Sequence, residues 1–248
     1  MISFRRVSKS YKKDVPVFKD LNIDIEPGEF VIITGKPGSG KTTFLKLILN
    51  EVSPDEGDVF YEEVDLDEMS SRQLKSYRRD LGAIFQDFKL LPYKTAYENI
   101  AFSLEVMGES DENIYQDTME VLKIIGLEHR KEHFPNELSG GEKQKVAIGR
   151  ALVSRPKVIL ADEPTGSLDE ETAKEILQVL KAINALGTTV IMTTHNERLM
   201  QYAKGARKIN ITEGGVVHDE HNKIFHSESV FGKQNGDNVV AGEDKNVI

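Results

Sequence analysis

Short apolar runs punctuate the chain. Residues 30–34 (Phe-Val-Ile-Ile-Thr), 157–161 (Lys-Val-Ile-Leu-Ala) and 188–194 (Thr-Thr-Val-Ile-Met-Thr-Thr) are rich in Ile and Val and lack strict polar alternation. Strands buried on both faces of a parallel sheet carry this pattern. Residues 81–85 and 206–211 are weaker candidates of the same kind. Between the runs the spacing turns helical, over 42–50, 71–79, 142–154, 170–185 and 197–203. Within 170–185, Ala173, Ile176, Leu177, Leu180 and Ile183 recur at helical spacing and form one apolar face. Alternating strands and helices predict an α/β core.

Residues 95–137 break the rhythm. They predict a helix over 95–107, a polar acidic loop over 108–112 and a second helix over 113–125. This segment reads as a helical insertion into the core. Near the N-terminus, Leu21, Ile23 and Ile25 alternate with polar residues, which suggests antiparallel strands at the edge. From Lys233 onward the chain is rich in Gly, Asn and Asp, and disorder is expected there. The chain thus divides into one domain over 1–220, with its helical insertion at about 90–140, and an extension over 221–248, largely disordered from about 233.

Charge and composition then narrow the classes. The 248 residues carry 32 Lys+Arg and 41 Asp+Glu, a net charge of −9. That balance argues against a general nucleic-acid binder, which needs a basic face for phosphates. Nine acids and no base fall within 51–68, and a second acidic stretch runs from Glu105 to Glu120. Both read as solvated surface. The absence of Cys excludes disulfide scaffolds, thiolate–zinc sites and cysteine nucleophiles. The first ten residues lack the apolar core of a secretory signal. No apolar run approaches the ~18 residues needed to span a bilayer. A membrane role therefore requires a partner that supplies the span. His218, His221 and His226 lie close together, but their spacing matches no standard zinc pattern, and they read as a solvated polar segment.

One motif fixes a ligand class. The run Gly35-Lys-Pro37-Gly38-Ser39-Gly40-Lys41-Thr42 fits G-x-x-x-x-G-K-[ST] without a mismatch. It follows a predicted strand and opens a predicted helix, with Thr43 next in line. Its glycines let backbone N–H groups converge on one point, and the helix N-terminus adds partial positive charge there. Lys41 reaches β- and γ-phosphates as a point charge, and the Thr42 hydroxyl is a ligand for Mg²⁺. Farther on, an apolar strand ends in Asp162-Glu163. A strand end beside a phosphate loop is where a doubly wound sheet forms its ligand crevice. Asp162 suits Mg²⁺, and Glu163 suits a general base that takes a proton from attacking water.

Leu138-Ser139-Gly140-Gly141-Glu142 stands 20 residues ahead of Asp162, counted from Glu142, with one helix and the strand between them. With the phosphate loop and the acid pair, this order resembles the ATP-binding cassette (ABC) ATPases. The resemblance covers residues 2 to about 220. It implies a P-loop α/β core with an N-terminal antiparallel β subdomain and an inserted α-helical subdomain. It also implies Mg²⁺-dependent ATP hydrolysis. By resemblance, Tyr11 stacks on adenine, and Gln86 senses Mg²⁺ and couples to a membrane partner. Asp169, in Ser167-Leu-Asp169, lies on a loop that crosses to a second subunit. His195 contacts the γ-phosphate. Ser139, Gly140, Gly141 and Glu142 would meet the nucleotide of that second subunit, so ATP would join two copies into a homodimer. Two positions depart from the family pattern. Lys145 replaces an Arg, and Gly149 replaces an Ala.

Within the family, Phe85-Gln-Asp-Phe-Lys-Leu-Leu-Pro92 and the following 95–102 resemble the cell-division branch. That branch implies an integral membrane partner, an FtsX-like four-span permease, and regulation of cell-wall hydrolysis. It implies a location on the cytoplasmic side of the plasma membrane, peripheral through that partner. A lipoprotein-release or macrolide-type exporter is the alternative within the family. ABC ATPases of DNA repair and translation usually carry two cassettes or a long coiled coil. This chain has a single phosphate loop, a single signature and no sustained heptads.

Overall fold

In the computed structural model, which describes residues 1–12, 15–212 and 217–219, the apolar runs lie side by side. Strands β1 (Ile2–Lys12) and β2 (Val15–Ile25) form an antiparallel pair, followed by β3 (Phe30–Thr34) and helix α1 (Lys41–Ile48). Next come β4 (Glu56–Tyr61), β5 (Val64–Asp65), α2 (Ser71–Arg79) and β6 (Leu81–Ile84). The inserted helices are α3 (Ala96–Met107) and α4 (Asp111–Ile124). The chain returns through α5 (Gly140–Leu152), β7 (Val158–Ala161), α6 (Glu170–Ala185) and β8 (Thr189–Thr194). Strands β9 (Arg207–Ile211) and β10 (Val217–Asp219) complete the described fold.

Two sheets result. The larger has the order β10-β9-β3-β8-β7-β6, parallel except for the β9–β10 pair. The smaller is antiparallel, in the order β2-β1-β4-β5. The central strands of the larger sheet feed two cores. Phe30 and Ile32 of β3 join one core with α3, α4, α5 and α6, while Val31 and Ile33 join the other with α1 and the antiparallel sheet. Ile159 and Ala161 of β7 follow the first pair, and Val158 and Leu160 follow the second. Both faces are dry, and this is why these strands show no polar alternation. The phosphate-loop helix is tied to the small sheet by aromatic contact. Phe44 stacks on Phe4 at 4.5 Å between ring centroids and meets Phe18 edge-on at 6.4 Å.

Several expectations need correction. The N-terminal strands lie in the antiparallel subdomain that the resemblance implies and not at the edge of the main sheet. They form a sheet of their own with β4 and β5. The acidic stretch 51–68 is therefore not merely solvated surface. Val59, Tyr61 and Leu66 are buried, while the acids around them stay at the surface apart from half-buried Asp65. The 108–112 loop is shorter than expected, because Ser110 caps α4 and Asp111 and Glu112 lie in its first turn. Acids there complement the positive end of the helix. Helix α5 begins at Gly140, since Ser139 is its N-cap. The expected helix over 197–203 is a 3-10 turn, Glu197–Tyr202. The expected disordered tail, and His221 and His226, lie outside the described residues. His218 sits exposed on β10.

Both departures from the family pattern have local reasons. A Cβ on Gly149 would approach Ile100, Ile125 and Val121 to within 2.9–3.1 Å, so glycine lets α5 settle closely on α3 and α4. Lys145 Nζ pairs with Glu175 Oε2 at 2.9 Å, which links α5 to α6.

Candidate functional site

Strand β3 runs up the middle of the parallel sheet, between β9 and β8. Its end delivers residues 35–40, which turn directly into α1. Gly40 sits at φ 108°, a conformation that side chains strongly disfavour, and a Cβ there would come within 2.6 Å of Val17. Lys41 is buried, and its ammonium donates to the carbonyls of Gly35 (2.8 Å) and Lys36 (3.1 Å). The same ammonium lies 3.6 Å from Glu163 Oε1.

Strand parity explains the acids. Asp162 follows β7 and continues the row of Val158 and Leu160, which faces α1. Its Oδ1 accepts from the Thr193 hydroxyl at 2.7 Å and lies 3.5 Å from the Thr42 hydroxyl on α1. By the same alternation Glu163 would face the opposite side. It lies just past the end of β7 and adopts φ 46° instead, which leaves its side chain beside Lys41. A left-handed non-glycine residue costs about 1–2 kcal/mol and persists only where its surroundings hold it. Here the Glu163 N–H donates to Thr193 Oγ1 at 2.9 Å, and Glu163 Oε2 lies 2.6 Å from His195 Nδ1.

These groups open into one cleft of about 460 Å³, lined by Tyr11, Val17, Pro37, Gly38, Gly40, Lys41, Thr42, Thr43, Gln86, Glu163 and His195. Tyr11 keeps 57% of its surface exposed at the rim. Gly35 and Ser39 belong to the phosphate loop without lining the cleft. Ser39 Oγ is buried in the loop with no hydrogen-bond partner among the described residues. The signature does not line this cleft. Ser139, Gly140, Gly141 and Glu142 open α5 elsewhere on the chain, and Asp169 caps α6. The Asp169 carboxylate is held below its ordinary range by hydrogen bonds from the Thr172 backbone and hydroxyl.

Glu142 is occupied within its own chain. Its Oε2 accepts the Ser139 N–H at 2.8 Å, and its Oε1 meets Arg130 Nε at 3.0 Å. The Ser139 backbone bond, foremost, and then Arg130 hold the Glu142 carboxyl below the usual glutamate range. Sequence reasoning missed Val17, Arg130 and Thr193. Val17 reaches Gly40 from β2, remote in sequence, and nothing in the local sequence marks the other two.

A divalent cation fits the donor set. The Thr42 hydroxyl and the Asp162 carboxylate converge to 3.5 Å and are hard oxygen donors of the kind Mg²⁺ prefers. Gln86 lines the same cleft.

Comparison with known proteins agrees with the fold. Residues 18–166 match the ABC transporter family model. The chain is 44% identical over 220 residues to the cell division ATP-binding protein FtsE of Streptococcus pneumoniae, covering 89% of this chain and 95% of that one. It is 43% identical to FtsE of Bacillus subtilis, covering 89% and 96%. Among solved structures, a dimeric post-hydrolysis ATP-binding cassette bound to ADP and Pi superimposes with a TM-score of 0.78 at 38% identity, covering 89% of this chain and 98% of that one. The chain belongs to the ABC transporter family. Within it, the chain is an ATP-hydrolysing cassette, and relatives that are 43% and 44% identical to it over 220 residues carry the name FtsE.

Proposed function

We propose that this chain is the ATP-hydrolysing subunit of a cell-division complex, and that two copies close on ATP and drive an FtsX-like four-span membrane partner that regulates cell-wall hydrolysis. The observation that carries the reading is the meeting of Lys41, Thr42, Gln86, Glu163 and His195 in one cleft, with Asp162 against Thr42. In hydrolysis, the Glu163 carboxylate accepts a proton from water as the water oxygen attacks the γ-phosphorus. The bond to the bridging oxygen breaks, and its electron pair leaves with ADP. Lys41 exchanges its loop carbonyls and Glu163 for phosphate oxygens, and His195 orients Glu163 through their 2.6 Å contact. Thr42 and Asp162, with Gln86 at hand, would hold Mg²⁺, which would supply charge neutralisation on the phosphates.

The signature supports closure of two copies. Ser139 and the N-terminus of α5 do not line the cleft of their own chain, and a helix start is suited to meeting the phosphates of another copy. The membrane partner is supported by the surface beyond Gln86, where Tyr93 exposes 92% of its area and Phe102 is partly exposed. Among the described residues no helix is long and apolar enough to cross a membrane. The chain would thus act at the cytoplasmic face of the membrane, held there by its partner.

Glu163→Gln tests the reading. Hydrolysis should fall by about 10²–10⁴-fold while ATP binding survives, the span expected for a general base. A stable ATP-bound dimer should accumulate, visible by light scattering after gel filtration. Normal turnover in that variant would remove Glu163 as the base.

A further inference from the structure

The Thr193 hydroxyl occupies an unusual position in the site. It is fully buried at the end of β8 and belongs to neither the phosphate loop nor the acid pair. Its one proton goes to Asp162 Oδ1 at 2.7 Å. Its oxygen accepts the backbone N–H of Glu163 at 2.9 Å. One side chain therefore holds the carboxylate of one acid and the main chain of the next.

The sheet register makes this possible. Ala161 pairs with Met192, so Asp162 and Thr193 are the next residues along adjacent parallel strands. Ile191 belongs to the core that contains α1, and Thr193 follows it two residues on along the strand, as Asp162 follows Leu160. Both side chains emerge on the α1 side, where Asp162 meets Thr42. The oxygen that Thr193 holds is the one that lies 3.5 Å from the Thr42 hydroxyl.

We propose that Thr193 is a positioning residue for the Mg²⁺ of the ATPase reaction, through its hydrogen bond to Asp162, and that it also fixes the left-handed turn at Glu163. The inference rests on the ATPase reading above and deepens it. Outer partners of metal ligands set the orientation of those ligands, and their loss weakens metal affinity. Without the hydroxyl, the Asp162 carboxylate is free to rotate away from Thr42. The Glu163 N–H also loses the acceptor that steadies its turn. Thr193 touches neither water nor phosphate in this role.

The test compares Thr193→Val, which keeps the shape, with Thr193→Ser, which keeps the hydroxyl. Binding of a fluorescent, non-hydrolysable ATP analogue to the full chain is titrated with Mg²⁺ present and with EDTA. The Mg²⁺ concentration for half-maximal ATPase is measured alongside. In Thr193→Val the Mg²⁺ requirement should rise by about 10–100-fold, the range for loss of an outer partner. The affinity measured in EDTA should stay near the wild-type value. Thr193→Ser should restore the wild-type Mg²⁺ dependence. Unchanged Mg²⁺ dependence in Thr193→Val, in a wild-type background that binds the analogue, overturns the inference and leaves the ATPase reading standing. A wild-type chain that binds no analogue overturns that reading itself. Should Thr193→Val fail to fold, Thr193→Ala against Thr193→Ser isolates the hydroxyl, and equal Mg²⁺ dependence in those two overturns the inference.

Discussion

At the scale of single residues, the site depends on backbone conformations that few side chains tolerate. Gly40, at φ 108°, lets the chain turn from β3 into α1 against Val17. Gly40→Ala should cost at least the ~1–2 kcal/mol of a disfavoured backbone. For a chain of this size that corresponds to a fall in Tm of about 2–8 °C. Scanning calorimetry measures the shift, and nucleotide binding should fall with it, because the loop amides no longer converge. Glu163 is the harder case. Its acidic side chain next to Asp162 is evident in the sequence, yet strand alternation sends it to the wrong face. The left-handed turn that corrects this is set by Thr193, thirty residues away, and by His195.

At the scale of elements, the loop after β6 depends on two helices. Phe88 and Lys89 are consecutive left-handed residues, and the Arg150 guanidinium on α5 donates to both of their carbonyls, at 3.0 and 2.6 Å. Buried Asn99 on α3 holds the next part of the loop through Leu91, Lys94 and Thr95. The loop carries Gln86, which lines the cleft, so both helices bear on the cleft. Arg150→Met should cost about 1.5–3 kcal/mol by denaturant titration, the worth of hydrogen bonds from a charged donor. Arg150→Lys should recover only part of this, since an ammonium cannot match the fork. The start of α5 has a pH dependence of its own. Glu142 titrates lower in the folded chain than in the unfolded one. Its contribution is therefore fully present above its unfolded pKa, about 4.3, and is lost as pH falls through the lower folded value. Glu142→Gln should remove that part of the acid destabilisation, as followed by Tm between pH 6 and pH 3.

At the scale of the whole molecule, the cleft and the signature lie on different parts of one chain, so the proposed cycle needs two copies. Ser139→Arg, combined with Glu163→Gln, should bind ATP as a monomer, whereas Glu163→Gln alone should dimerise. Analytical ultracentrifugation distinguishes them, and an ATP-bound dimer of the double variant would sink the trans arrangement. Tyr93→Glu should leave ATPase activity of the isolated chain unchanged and abolish its recruitment to membranes that carry the four-span partner, as read by sedimentation with vesicles.

The sequence by itself determined the strands of the parallel core, the amphipathic α6, the phosphate loop and the family. These are local properties: apolar runs mark strands dry on both faces, helical spacing marks one buried stripe, and a contiguous glycine-rich loop needs no distant residue to be recognised. It also marked Asp162 and Glu163 as candidates, through their place at a strand end, and Gln86 and His195 through the family resemblance. Tertiary structure decided the rest. The acidic stretch 51–68 became β4 and β5 because β1 offered a partner edge, and pairing between segments fifty residues apart leaves little local trace. The 3-10 turn at Glu197–Tyr202 replaced an expected α-helix in a six-residue segment, too short for intrinsic helix propensity to decide. Arg130, Arg150 and Thr193 acquired their roles only when remote strands and helices met. Hydrogen bonds and ion pairs act over a few ångströms in space, and distance along the chain does not reveal which groups will come that close.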